Sequence, residues 1–111
     1  KLERQGSYSL MPEIRVSQLL KEGESIALKE DDQHILLCRI GGKYHAVSNI
    51  CSHARVLLSK GRLRGTTITC PLHGARFDVT SGKCLGGPAF QDIASYSVSN
   101  EDNEIIIATD G

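Results

Sequence analysis

The sequence predicts an all-β domain, an antiparallel sandwich or barrel of short strands. Three observations carry this reading. Apolar and polar residues alternate over short segments such as Glu13-Ile14-Arg15-Val16 and Ser25-Ile26-Ala27-Leu28-Lys29, which is the period of a half-buried strand. Tight-turn signals separate such segments, Gly41-Gly42 foremost, because paired glycines supply the positive φ that a two-residue hairpin needs. No stretch sustains the 3.6-residue period of a long amphipathic helix, and no internal repeat is visible. With 111 residues, the chain can bury one modest core.

In chain order, Lys1 to Leu10 show no periodicity and precede Met11-Pro12. They read as a loose tail or an added remnant, with Met11 as the native start and one domain over 11–111. Glu13 to Val16 is the first strand. Ser17 is placed to cap a single helical turn through Gln18-Leu19-Leu20, ended by Gly23. Ser25 to Lys29 is the next strand, and Ile35 to Ile40 and Lys43 to Ser48 form a hairpin across Gly41-Gly42. Thr66 to Thr69 is short. Arg76 to Val79 and Lys83 to Leu85 flank a tight turn, and Ser95 to Val98 pairs with Glu104 to Thr109 across Asn100-Glu101-Asp102-Asn103.

Composition narrows the function. Thirteen Lys and Arg balance thirteen Asp and Glu, and there is no Trp, so nothing indicates a nucleic-acid binder. Arg55, Lys60, Arg62, Arg64 and Arg76 nevertheless fall together; such a run is usually a solvated face, and its other reading is a docking surface. No apolar run approaches the roughly 20 residues that span a bilayer, and no charged-then-apolar signal segment is present. The expectation is a soluble cytoplasmic protein without a membrane anchor.

Two motifs carry the chemistry. Cys51-Ser52-His53 and Cys70-Pro71-Leu72-His73-Gly74 each offer one thiolate and one imidazole, with sixteen residues between them. Such a set, with two Cys on one iron and two His on the other, suits a [2Fe–2S] cluster. Structural zinc also accepts two Cys and two His. Zinc modules more often pair Cys with Cys and His with His, whereas each half here is mixed, so the spacing favours iron–sulfur; a zinc-stabilised interaction module is the alternative from another class. Both motifs lie at strand-to-loop junctions, where a rigid scaffold presents loops to a cofactor. Pro71 fixes its own backbone angle and Gly74 can adopt a positive φ behind His73. Gly86-Gly87-Pro88 reads either as a third loop covering the site or as an ordinary turn.

The remaining reactive residues are few. Cys38 lies in an apolar strand and reads as a buried thiol, while Cys84 follows a turn. A Cys38–Cys84 bridge is the alternative, against which a reducing compartment argues. His34 and His45 read as ordinary surface or core histidines. No nucleophile arrangement or further metal site for catalysis is readable, so the chain is expected to be a component of an enzyme system with no small-molecule substrate of its own.

Cys51-x-His53, Leu58-Ser59-x-Gly61, Cys70-Pro71-Leu72-His73-Gly74-Ala75-Arg76-Phe77-Asp78 and Thr80-Ser81-Gly82 together resemble the Rieske-type ferredoxins. In particular they resemble the ferredoxin components of bacterial multicomponent aromatic-ring-hydroxylating dioxygenases. The resemblance implies a Rieske-type β-sandwich with a small cluster-binding subdomain formed by two loops, about residues 48–88. It implies that Cys51 and Cys70 bind the inner iron of one [2Fe–2S] cluster, and that His53 and His73 bind the outer iron near the surface. It also implies the partners: an NAD(P)H-dependent ferredoxin reductase as donor and a terminal oxygenase as acceptor. Docking is expected at the cluster tip, through Ala54, Arg55, Leu72, Gly74, Pro88 and Phe90. The small Rieske-like subunit of assimilatory nitrite reductase is a second family alternative.

Departures from other branches of the family are informative. Respiratory Rieske proteins brace the cluster with a disulfide at positions that match Val56 and Leu72 here, and place hydroxyls where this chain has Ala75 and Phe77. Hydroxyl donors near a cluster stabilise its reduced, more negative state and raise the potential. Without them the midpoint is expected at the low end of the Rieske range, about −150 mV. Voltammetry of the purified holoprotein checks this, and a clearly positive midpoint would contradict the role given to Ala75 and Phe77.

Overall fold

The computed structural model describes residues 13–30, 32–52, 55–72, 74–87 and 91–109. Among them the chain forms ten short strands: β1 (Glu13–Val16), β2 (Ser25–Glu30), β3 (Gln33–Ile40), β4 (Lys43–Ser48), β5 (Arg62–Arg64), β6 (Thr67–Thr69), β7 (Arg76–Asp78), β8 (Cys84–Gly86), β9 (Ser95–Glu101) and β10 (Glu104–Ala108). They make two antiparallel sheets. One runs in the order β1-β10-β9-β4-β3-β2, the other β5-β6-β7-β8. A single 3₁₀ turn, Leu58–Lys60, is the helical element among the described residues.

The apolar run Ile35-Leu36-Leu37-Cys38 explains how two sheets make one domain. Successive strand residues point to opposite faces, and all four are fully buried. Ile35 and Leu37 join Ile14, Val16, Leu20, Ala46, Ile105 and Ile107 in one core. Leu36 and Cys38 turn the other way, into a second core with Val47, Cys51, Leu58, Ile68, Cys70 and Phe77. Ala46 and Val47 of β4 divide between the two cores in the same way. The central hairpin is thus a wall shared by the large sheet's core and the core that carries both motif cysteines.

That hairpin is held at its turn. Gly41 and Gly42 have φ of 64° and 78°, as a two-residue hairpin of this type requires. The Glu22 carboxylate accepts hydrogen bonds from the N–H groups of both glycines. Those two bonds, with the Arg39 guanidinium nearby, hold its pKa below the ordinary value of 4.5.

Two expectations need correction. Ser17 to Leu20 form no helical turn; the chain runs irregularly to a turn at Glu22-Gly23. The backbone groups of Leu20 have found tertiary partners instead. Its N–H donates to the Tyr44 hydroxyl at 3.1 Å, and its carbonyl accepts from Arg39 Nη1 at 2.9 Å. Leu20 itself is buried, so burying that side chain prevails over a weak local cap. The second miss is β5. Arg62-Leu63-Arg64 alternates, but over only three residues, and it is a strand because it pairs with β6 from Leu63↔Ile68 outward.

Cys38 carries a free thiol in the core, so no bridge joins it to Cys84. Burial pushes that thiol up to about 12, leaving it protonated and inert at neutral pH.

The Glu22 clamp gives a local pH signature. A depressed carboxylate pKa contributes stability above its ordinary value, and that contribution is lost as pH falls through the folded value. The Gly41 and Gly42 amide proton shifts, followed by NMR, should titrate with a midpoint below 4.5. In the Glu22→Gln protein the same resonances should not titrate; a persisting midpoint would assign the shift to another group.

Candidate metal centre

The two motif cysteines stand at the same station of two similar loops. Cys51 N–H donates to the Val56 carbonyl at 3.0 Å, and Cys70 N–H donates to the Ala75 carbonyl at 2.7 Å. Each bond closes a loop five residues on, and each loop contains one motif histidine: His53 two positions after its cysteine, His73 three after its own. Strand pairing sets the bases of both loops. Ile50 bridges Leu57 below the first, and Thr69 pairs with Arg76 below the second. Within the second loop Gly74, at φ 79°, donates its N–H back to the Cys70 carbonyl at 3.1 Å.

Cys51 and Cys70 are only 3% and 2% exposed and lie in one apolar cluster with Leu58, Ile68, Ala75 and Phe77. A pair of buried thiols in one apolar cluster is a fitting donor set for the inner half of a cluster shielded from water. Cys70 is not taken up by a disulfide. His53 and His73, like Ala54, Pro88 and Phe90, lie outside the described residues. Among the described residues no three His, Cys, Asp or Glu side chains gather at metal-binding spacing. The cysteine half of the set is therefore what the geometry brings together. Of the expected tip residues, Arg55 and Gly74 are exposed and Leu72 is 53% exposed.

Asn49 is a residue that sequence reasoning missed. It is the buried polar side chain of the described core, 1% exposed. Its Oδ1 accepts from the Ser59 N–H at 2.7 Å and its Nδ2 donates to Ser59 Oγ at 3.0 Å. Its backbone carbonyl accepts from Leu58 N–H at 2.8 Å. Asn49 thereby ties the start of the first loop to the 3₁₀ turn behind it. The available signal was an Asn between an apolar strand and a motif cysteine, which passes for an ordinary loop residue.

Other segments brace the loops. Ser52 Oγ donates to the Gln91 carbonyl at 2.6 Å. Gly61 passes so close to β6 that a Cβ there would meet the Thr69 carbonyl oxygen at 1.9 Å. Gly87 lies against the second loop, where a Cβ would come within 2.7 Å of Ala75 Cα. Gly87 therefore packs against that loop; Pro88, the last residue of the expected Gly86-Gly87-Pro88 loop, lies outside the described residues. His34 and His45 sit half-buried in β3 and β4.

Comparison with known proteins places this arrangement. A family model described as Rieske [2Fe-2S] domain matches residues 9–97. The ferredoxin component of naphthalene 1,2-dioxygenase/salicylate 5-hydroxylase systems from Ralstonia sp. is 36% identical over 88 residues, covering 79% of this chain and 85% of that protein. Among solved structures, the ferredoxin of carbazole 1,9a-dioxygenase from Nocardioides aromaticivorans IC177 is 35% identical, with a TM-score of 0.81 over 86% of this chain and 96% of its own. A chain in the complex of reduced oxygenase and oxidized ferredoxin of carbazole 1,9a-dioxygenase shares the fold at 23% identity, with a TM-score of 0.79 over 87% of this chain and 100% of its own.

Replacing Asn49 by Ala should leave the buried Ser59 N–H unpaired, at a cost of about 1–3 kcal/mol. The holoprotein should then melt at lower temperature and lose its visible chromophore sooner on heating. Gly61→Ala should be more damaging, because its methyl displaces backbone immediately before Cys70. Unchanged melting of both variants would remove these residues from the support of the loops.

Proposed function

The chain belongs to the Rieske [2Fe–2S] domain family, and from that premise we propose that Cys51, His53, Cys70 and His73 ligate its cluster, the cysteines on the buried iron and the histidines on the outer one. The observation that carries this is the pair of cysteines at equivalent positions of two loops, both buried in one apolar cluster. The cluster, when bound, supplies one-electron redox chemistry. The protein's own part is to hold it. Apolar neighbours keep water from the cysteine side, and Ala75 and Phe77, both fully buried, present no hydroxyl toward it.

The function is that of a one-electron carrier in an aromatic-ring dioxygenase system, as a component and not as the catalyst. Electrons would come from an NAD(P)H-dependent reductase and pass to a terminal oxygenase. Support for the acceptor comes from the carbazole system, where a chain of this fold is found in complex with the oxygenase. Leu72, Arg55 and Gly74, all exposed, would belong to the tip on which partners dock; a transient complex of this kind uses a small interface. The unit that does this would be residues 11–111, with 48–88 as its cluster-binding part. No helix among the described residues is long and apolar enough to cross a membrane.

Absorption and EPR spectra of the purified protein, before and after dithionite, test the ligand set. A red-brown protein with a rhombic reduced signal of low average g is expected, and each of Cys51→Ser, His53→Ala, Cys70→Ser and His73→Ala should lose or alter it. A colourless protein carrying one zinc would leave a structural module instead.

A further inference from the structure

The balanced total charge conceals a strong separation. Between residues 50 and 90 the chain has six basic residues, Arg55, Lys60, Arg62, Arg64, Arg76 and Lys83, and one acid, Asp78. The rest of the chain therefore holds seven basic and twelve acidic residues out of thirteen of each. The stretch that builds the loops carries +5, and the remainder −5.

Strand register puts part of this charge on one surface. Arg62, Thr69, Arg76 and Gly86 are directly opposite one another across β5, β6, β7 and β8. Residues paired in this way share a sheet face, and Leu63, Ile68 and Phe77 of the neighbouring row occupy the other, inner one. Arg62 and Arg76 are exposed, and two strand spacings place their backbones about 10 Å apart. The Arg76 guanidinium lies across Gly86, close enough that a Cβ there would meet its Nη2 at 2.5 Å. Arg64 adds a third exposed cation on the same face of β5.

Among the described residues no ion pair takes up these arginines; the ion pairs are those of Arg15 with Glu13 and Glu104, in the other sheet. Asp78, the acid of this stretch, shares that face in the row Arg64, Thr67 and Asp78, its Oδ1 accepting from the Thr80 N–H and hydroxyl, so the face carries three arginines against one carboxylate. The position is also pointed. Thr69 and Arg76 immediately flank the second loop, Cys70 to Ala75, so the row begins where the cluster loop leaves the sheet.

We propose that the Arg62–Arg76 face is a docking surface for the terminal oxygenase, and that it meets an acidic patch beside that protein's electron-accepting centre. The proposal rests on the electron-carrier reading above and adds the chemistry of the partner's surface. Charges within a Debye length, about 8–10 Å at physiological salt, steer and orient an encounter and act mainly on its rate. A domain with its excess of bases in the stretch that builds the loops is turned by such a patch before contact, with the second loop foremost. A long-lived complex is unnecessary for a carrier, so a rate effect is the useful one.

The test uses holoprotein and two kinds of probe. On gold electrodes coated with carboxylate-terminated or ammonium-terminated monolayers, the wild type should exchange electrons on the carboxylate surface and be about tenfold slower on the ammonium one. Arg62→Glu/Arg76→Glu should reverse that preference, with its absorption spectrum unchanged, while Lys29→Glu on β2 should not. In stopped flow, dithionite-reduced protein mixed with the oxygenase of its own system should react about tenfold more slowly in the double variant at low salt. The difference should shrink near 0.15 M salt. If the double variant binds its cluster poorly, Arg62→Gln/Arg76→Gln replaces it. Equal rates on both electrodes, or an unaffected oxygenase reaction with only reduction by the reductase slowed, would overturn the proposal. So would wild-type head-to-tail association that accounts for the salt dependence. A missing cluster spectrum in the wild type would instead strike at the carrier reading beneath it.

Discussion

Everything distinctive in this chain depends on bringing two cysteines from separate loops into one dry place. A loop is the wrong element for burial, because its backbone polar groups need partners wherever water is excluded. The chain meets this by making each cysteine-bearing loop a closed hairpin end. The Cys51 and Cys70 N–H groups, which burial would otherwise leave unpaired, are satisfied by the carbonyls of Val56 and Ala75. The same bonds that permit burial also fix where each side chain begins.

The two loops nevertheless reach that state by different means. The second is the tip of a regular β-hairpin, with Thr69 paired to Arg76 below it, and it needs only Pro71 and Gly74 to turn. The first has no ladder beneath it beyond the isolated Ile50–Leu57 bridge. Asn49 takes the place of a strand there, supplying one backbone and two side-chain hydrogen bonds to Leu58 and Ser59. A buried polar group is costly unless satisfied, and a fully satisfied one makes a specific tie. The placement of Cys51 thus depends on one amide, and that of Cys70 on a sheet.

How much of this was legible follows from where the information lies. Alternation marked β1 and β2, and Gly41-Gly42 marked the central hairpin, because these are local properties of the chain. The motifs suggested a Rieske-type cluster for the same reason: cysteine and histidine at short spacing state their chemistry wherever the chain puts them. Ser17 misled because its capping signal is local, whereas the partners of Leu20, Tyr44 and Arg39, lie about 20 residues away. The strand Arg62–Arg64 was too short to show a period and exists by pairing. Asn49 was invisible because its partner Ser59 is set by the fold, ten residues on.

The charge separation belongs to a third kind of information, readable in the sequence as a sum but meaningful only through register. Five basic residues between Arg55 and Arg76 could have scattered over every side of the molecule, and a scattered run is a solvated surface. Pairing of β5 with β6 and β6 with β7 puts Arg62 and Arg76 in one row, while the inner row of Leu63, Ile68 and Phe77 fixes which way that row faces. The apolar packing that shields the cysteines therefore also orients the cations. A sheet that buries Phe77 beneath the loops must present Arg76 above it, so stability of the site and charge of its flank are consequences of one alternation.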